Sequence, residues 1–127
     1  MIDLYNRLYN LRYRSIMLAP VFGNKNVEKI LFFLLMNERC YGRQLSLVFE
    51  QSITPFQKAL ERLETGGIIV SFLEGKTRSY QFNPRYPFLK ELKDFLVKAY
   101  EFIPQAQKDK YYERKIRKRP RRKGKPL

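Results

Sequence analysis

Apolar residues recur along this chain with two different periods, and the change from one period to the other marks out its elements. Over residues 3–18, Leu4, Leu8, Leu11 and Leu18 share one helical stripe, with Ile16 near its edge. Tyr5, Tyr9 and Tyr13 follow four apart and widen it. The stretch "APVFGNKN" breaks the pattern at Pro20 and Gly23. A second helix is predicted from about Lys25 to Asn37, and from Ile30 on it is apolar nearly all round, so it should be central. A third, short helix covers about Gly42 to Glu50, with Leu45, Val48 and Phe49 inward.

The next stretch, "SITPFQKALERLETGG", has a start signal and a stop signal. Thr54 reads as the N-cap, Pro55 as the first helical residue, and Gln57 as the capping-box partner three residues on. Phe56, Ala59, Leu60 and Leu63 fall at i, i+3, i+4 and i+7, and Gly66 and Gly67 stop the helix. The period then drops to two. "IIVSFL" and "TRSYQF" read as strands around Glu74-Gly75-Lys76. A three-residue turn would put Ile68, Val70 and Phe72 on one face with Tyr80 and Phe82. Pro84 and Pro87 end the second strand. A last helix from about Pro87 to Ile103 carries Phe88, Leu92, Phe95, Leu96, Ala99 and Ile103, and Pro104 closes it. Beyond that the apolar residues nearly vanish. There are no internal repeats.

The fold class that follows is mainly α with a small β-hairpin. Its divisions are an N-terminal helix over 1–20, a core over 21–84, a C-terminal helix over 85–104, and a basic tail over 105–127 expected to be disordered alone.

Composition narrows the chemistry. One Cys cannot form an internal disulfide, and with no His a transition-metal site or a histidine base is not expected. Cys40 reads as a small core residue. No cofactor is called for, and no nucleophile–base pair or carboxylate cluster stands out, so an enzyme is not expected. The longest apolar run, "ILFFLLM", has seven residues, whereas a membrane span needs about 20. Arg7, Arg12 and Arg14 interrupt the first turns, so no signal-peptide core is read there, and a cytoplasmic, nucleoid-associated setting is expected. The net charge is +14. Residues 1–107 hold 15 Lys and Arg against 10 Asp and Glu, or +5, and residues 108–127 hold 11 against 2, or +9. Such an excess points to a polyanionic partner, duplex DNA first.

A short helix, a tight connection and a capped amphipathic helix make a helix-turn-helix, and a basic hairpin directly after it makes a winged one. The outward residues of the capped helix, at about 54–65, are Thr54, Gln57, Lys58, Glu61 and Arg62. In a major groove Gln can read adenine, Arg or Lys guanine, and Glu can accept from cytosine. Lys76 and Arg78 on the hairpin, at about 68–83, are placed for phosphates or a minor groove, and Arg43 for a backbone contact. In the tail, Arg114, Lys115, Arg117, Lys118, Arg119, Arg121, Arg122 and Lys123 are expected on phosphates. "GKT" at 75–77 is no phosphate loop, because position 70 is Val and the segment lies in a hairpin.

The segment "SITPFQKALERLETGGIIVSFLEGKTRSYQFNP" resembles the winged-helix core of ArsR/MarR-type transcriptional regulators. The features that carry the resemblance are the capped helix, Leu63-Glu64-Thr65-Gly66-Gly67 with Ile68-Ile69, the Gly75-Lys76 wing, and Tyr80-Gln81-Phe82-Asn83-Pro84. "VFGNKNVEKILFFLL" is similar to the helix that opens that core, so the resemblance covers about Val21 to Leu96. It implies a transcriptional regulator that binds duplex DNA. The metal-sensing Cys and His of the ArsR sensors are absent, so metal response is not implied. Pro55 and Phe56 replace small polar or β-branched residues, so base readout is expected to differ. A homodimer is expected, pairing Leu4, Leu8 and Leu11 or Leu92, Phe95, Leu96 and Ala99 across a two-fold axis. The competing readings are an RNA-binding winged helix with an arginine-rich tail, and an adaptor that docks a protein.

Overall fold

The structure, a computed structural model, describes residues 18–113. The helix expected over 3–18, except Leu18, lies outside the described residues, as do the tail positions from Arg114 on. The described part is mostly helical with one small antiparallel sheet, an α+β arrangement.

A four-residue helix α1, Ala19–Phe22, leads through left-handed Gly23 (φ 74°) into α2, Lys25–Asn37. Asn24 caps α2, its Oδ1 accepting from the N–H groups of Asn26 at 2.7 Å and Val27 at 3.2 Å. Val27, Ile30, Leu31, Phe32, Phe33 and Leu34 are all buried, so α2 is the central helix that its all-round apolarity predicts. Glu28 is wholly buried within it and accepts the Leu18 N–H at 3.1 Å. α3, Gly42–Phe49, buries Leu45 and Phe49, and the Tyr41 N–H at its start donates to Gln44 Oε1 at 3.1 Å.

α4 spans Ile53–Thr65 and buries Phe56, Ala59, Leu60 and Leu63, as its spacing predicts. Its start is different. The N-cap is Ser52, without a side-chain cap bond, so Thr54 is not the cap and Pro55 is the third helical residue. The first three helical N–H groups are free in any helix, so proline fits each of those places and does not single out the first. At the far end Gly67 (φ 79°) takes the left-handed place, and the Ile68 N–H returns to the Leu63 carbonyl at 3.0 Å.

β2, Ile69–Glu74, and β3, Thr77–Phe82, pair antiparallel from Ile69↔Phe82 to Glu74↔Thr77. The turn is therefore Gly75-Lys76, two residues and not three. Gly75 (φ 66°) holds the positive φ that the first residue of a type II′ turn requires. The shorter turn changes the faces. Ile69 lies with Phe82 against the core, while Phe72 is 50% exposed. A third strand, β1 (Cys40–Tyr41), pairs with β3 through Cys40↔Tyr80 and Tyr41↔Ser79, giving the order β1-β3-β2.

α5, Leu89–Tyr100, turns Leu96, Ala99 and Tyr100 into the core. Phe88 lies before the helix and is exposed, and Phe95 meets Phe22 edge-on at 6.4 Å between ring centroids. Leu96 and Ala99 are thus spent on their own core, which removes half of one of the two stripes on which a homodimer was expected, while Phe95 stays exposed. The other, Leu4 to Leu11, lies outside the described residues.

The chain does not leave the fold at Pro104. Gln105–Gln107 (α6) and a π-helical turn, Lys108–Tyr112, follow. Tyr112 is completely buried, with Phe32 and Phe49 each 5.8 Å away and Tyr100 at 6.0 Å, and its carbonyl accepts from Asn37 Nδ2 at 2.9 Å. The boundary expected at 105 is wrong for residues 105–112: two tyrosines with no apolar period were enough to hold them down.

Candidate nucleic-acid interface

The helix pair α3–α4, joined by Glu50-Gln51-Ser52, presents the polar side of α4. Glu50 takes the left-handed place at the end of α3 (φ 55°), where its N–H reaches the Ser46 carbonyl. α3 begins hard against α4: a Cβ on Gly42 would lie 3.7 Å from Ile53 and 3.8 Å from Gln57. Buried Phe56, Ala59, Leu60 and Leu63 fix the inner side of α4, and successive residues turn by about 100°. Thr54, Lys58 and Glu61 therefore project furthest out. Gln57 leans toward the Leu60 flank and Arg62 toward the Ala59 flank. All five side chains are exposed.

The Gln57 flank faces the hairpin. A cleft of about 340 Å³ lies there, and Arg43, Gln57, Lys76 and Arg78 all line it, with Tyr41 and Tyr80. Four of the expected contacts, from α3, α4 and the hairpin, thus meet in one place. Arg62 does not join them. It stands on the opposite flank, its guanidinium 3.9 Å from where a Cβ on Gly23 would be, at an apolar hollow shared with Phe22 and Leu92.

The cations of the cleft are held differently. Arg78 donates to Ser71 Oγ at 3.0 Å, and the Ser71 hydroxyl donates to Glu64 at 2.6 Å, so the guanidinium is oriented from below. Arg43 and Lys76 in the cleft, and Lys58 outside it, have no ion-pair partner among the described residues, which leaves them available to an anion. Arg39 pairs with Glu74 at 3.0 Å and the Tyr41 hydroxyl donates to Glu74 at 3.4 Å, tying the hairpin to β1. Both partners are exposed, so the pair is worth at most about 1 kcal/mol and serves position more than stability.

Tyr41 and Tyr80 were not among the expected contacts. Burial first, then the Glu64 carboxylate, raises the Tyr80 phenol above its ordinary range, so it remains a donor at neutral pH. β1 brings Tyr41 to the cleft, and a two-residue strand has no period from which it could have been read. Cys40, behind it, is fully buried, and burial pushes its thiol up to about 12, so it is no nucleophile at neutral pH.

No protein-family profile, curated protein or solved structure matches this chain. Among the described residues no cluster of three or more His, Cys, Asp and Glu side chains is arranged to hold a metal ion, and no helix is long and apolar enough to cross a membrane. The tail contacts Arg114, Lys115, Arg117, Lys118, Arg119, Arg121, Arg122 and Lys123 lie outside the described residues.

Proposed function

We propose that this chain is a winged helix-turn-helix protein that binds duplex DNA and regulates transcription, in the manner its resemblance to ArsR/MarR-type regulators implies. The observation that carries the reading is the convergence of Arg43, Gln57, Lys76 and Arg78 on one cleft between α4 and the hairpin. A helix fits the major groove, and its outermost residues meet base edges there. Thr54, Gln57, Lys58 and Glu61 are then the readers, with Gln57 suited to adenine and Glu61 to the amino group of cytosine. Lys76 and Arg78 take phosphates beside the groove, and Arg43 takes one from α3. Arg62, set on the far flank, becomes a backbone contact and not a base reader.

Selection of bound fragments from random duplexes tests this. Gln57→Ala should weaken a selected site by about 1–3 kcal/mol, or roughly 5- to 150-fold, and leave random duplex nearly unchanged. Lys76→Ala should weaken both alike. Equal losses from Gln57→Ala on both duplexes would sink the reading.

One observation favours the adaptor reading instead. Phe72 and Leu73 on the hairpin and Leu47 on α3 are 50%, 63% and 71% exposed, more apolar surface than a phosphate contact needs. Binding measured side by side on duplex DNA, hairpin RNA and anionic vesicles separates the readings: an adaptor gives no selected duplex at all.

A further inference from the structure

The cleft that gathers Arg43, Gln57, Lys76 and Arg78 continues past Tyr41. A second hollow of about 450 Å³ adjoins it, between α3 and the hairpin. Tyr41, Arg43, Gln44, Leu47, Glu74 and Thr77 line this hollow, and three of them, Tyr41, Arg43 and Thr77, line the cleft as well. Its volume lies within the range of small-molecule sites, about 300–1,000 Å³.

The two spaces differ in charge. The cleft has three cations along its walls and no carboxylate. The hollow has one cation, Arg43, and one carboxylate, Glu74, with Leu47 beside them at 71% exposure. A phosphate therefore belongs in the cleft, and Glu74 opposes its entry into the hollow. Whatever passes Arg43 into the hollow should be uncharged and largely apolar, and the flat, uncharged part of a nucleotide is its base.

Tyr41 is held ready for one. Its N–H donates to Gln44 Oε1 at 3.1 Å, its hydroxyl donates to Glu74 at 3.4 Å, and Arg39 holds Glu74 at 3.0 Å. The side chain is thus fixed at both ends, yet no other ring of the described residues packs on it. Gln44 keeps its Nε2 as a donor, and Glu74 and Thr77 carry acceptor oxygens, a set that complements the edge of a base.

We propose that, if the chain binds DNA as described above, this hollow takes one unpaired base, stacked on Tyr41 with the adjoining phosphate on Arg43. The preferred substrate is then a duplex with an extrahelical nucleotide beside the segment that α4 reads. Lifting a paired base out of its stack costs free energy that an unpaired base does not. Stacking on an aromatic side chain strengthens binding by roughly 5- to 150-fold per base.

The test uses the full chain and its selected duplex, with one unpaired 2-aminopurine nucleotide moved step by step along the site and its flanks on each strand. At one position affinity should exceed that of the fully paired duplex by roughly 5- to 150-fold, and the fluorescence of the base should fall on binding as it stacks. An abasic nucleotide at that position, as flexible but without a base, should give no gain. Tyr41→Leu should abolish the gain and the quenching, and Tyr41→Phe should keep both. Leu47→Glu puts a second carboxylate into the hollow from an exposed position, so it should abolish the gain without disturbing the core. The absence of any gain, a gain that the abasic nucleotide matches, or one that survives both Tyr41→Leu and Leu47→Glu would overturn the proposal and leave the DNA reading intact. If the parent protein selects no duplex, the DNA reading fails and the base site fails with it.

Discussion

Replacing Tyr112 with alanine should destabilise the fold by about 3–5 kcal/mol, the range for truncating a fully enclosed aromatic side chain. The upper part of that range is the better expectation. Tyr112 has no exposed surface, and three rings surround it at 5.8–6.0 Å, one from α2, one from α3 and one from α5. Three separate elements would have to shift together to fill the hole, and such sites collapse poorly. For a domain of this size the melting temperature should fall by roughly 12–20 °C. Tyr111→Ala is the control. Its ring is half-buried and has one stacked partner in Phe49, so about 1 kcal/mol is expected. Far-UV circular dichroism melts of the parent and both variants at one pH and protein concentration suffice. A Tyr112→Ala protein that melts within two degrees of the parent would show that 105–112 is outside the cooperative unit.

Two further outcomes follow from local geometry. Gly75 has a positive φ and open space where a Cβ would go, so Gly75→Ala should cost about 1–2 kcal/mol from backbone strain alone, read in urea melts, and no measurable loss would mean the turn is not the two-residue one described. Burial, helped by Lys25 and opposed by Glu28, lowers Lys29 from 10.5 to about 8, so above pH 8 the unfolded chain holds a proton that the folded chain has lost, and stability should rise with pH up to about 10.5. Cys40 opposes this, because burial raises its thiol from 9.0 to about 12 and stability falls as pH climbs past 9. The rise should therefore be clearest in melts between about pH 8 and 9 and absent in Lys29→Met; its persistence there would remove Lys29 as the source.

What could be read from the residues alone was whatever a segment decides for itself. α2 follows from an unbroken apolar run and α4 from four apolar residues on one stripe, and both helices have the buried faces that these patterns require. What could not be read depends on residues far apart in the chain. Cys40 becomes a strand residue only because Tyr80 lies beside it, and Tyr112 becomes core only because Phe32, Phe49 and Tyr100 leave a hole of its shape. The hairpin shows the same division. Two strands and a glycine turn were plain, but one residue of turn length decides which set of side chains faces inward. Alternation alone favoured Ile68, Val70 and Phe72, whereas pairing to β3 selects Ile69 and leaves Phe72 out.

The candidate site divides along the same line. Residue types pointed to a polar helix and a basic hairpin, and those elements are present. Which polar residues act together is a question of angle, and small angles matter. Gln57 and Arg62 are five residues apart on α4, about 140° around it, and both are exposed. That rotation sends Gln57 into the cleft with Arg43, Lys76 and Arg78, and Arg62 to Gly23 on the other side. A polar stripe read as one surface is two, and only one of them has the hairpin for a neighbour. A duplex entering from the polar side of α4 would meet Thr54, Lys58 and Glu61 first, with the hairpin's cations on one flank and Arg62 on the other. If the chain binds duplex DNA as proposed, sequence preference should therefore be concentrated at the base pairs nearest the cleft, where Gln57 stands among Arg43, Lys76 and Arg78.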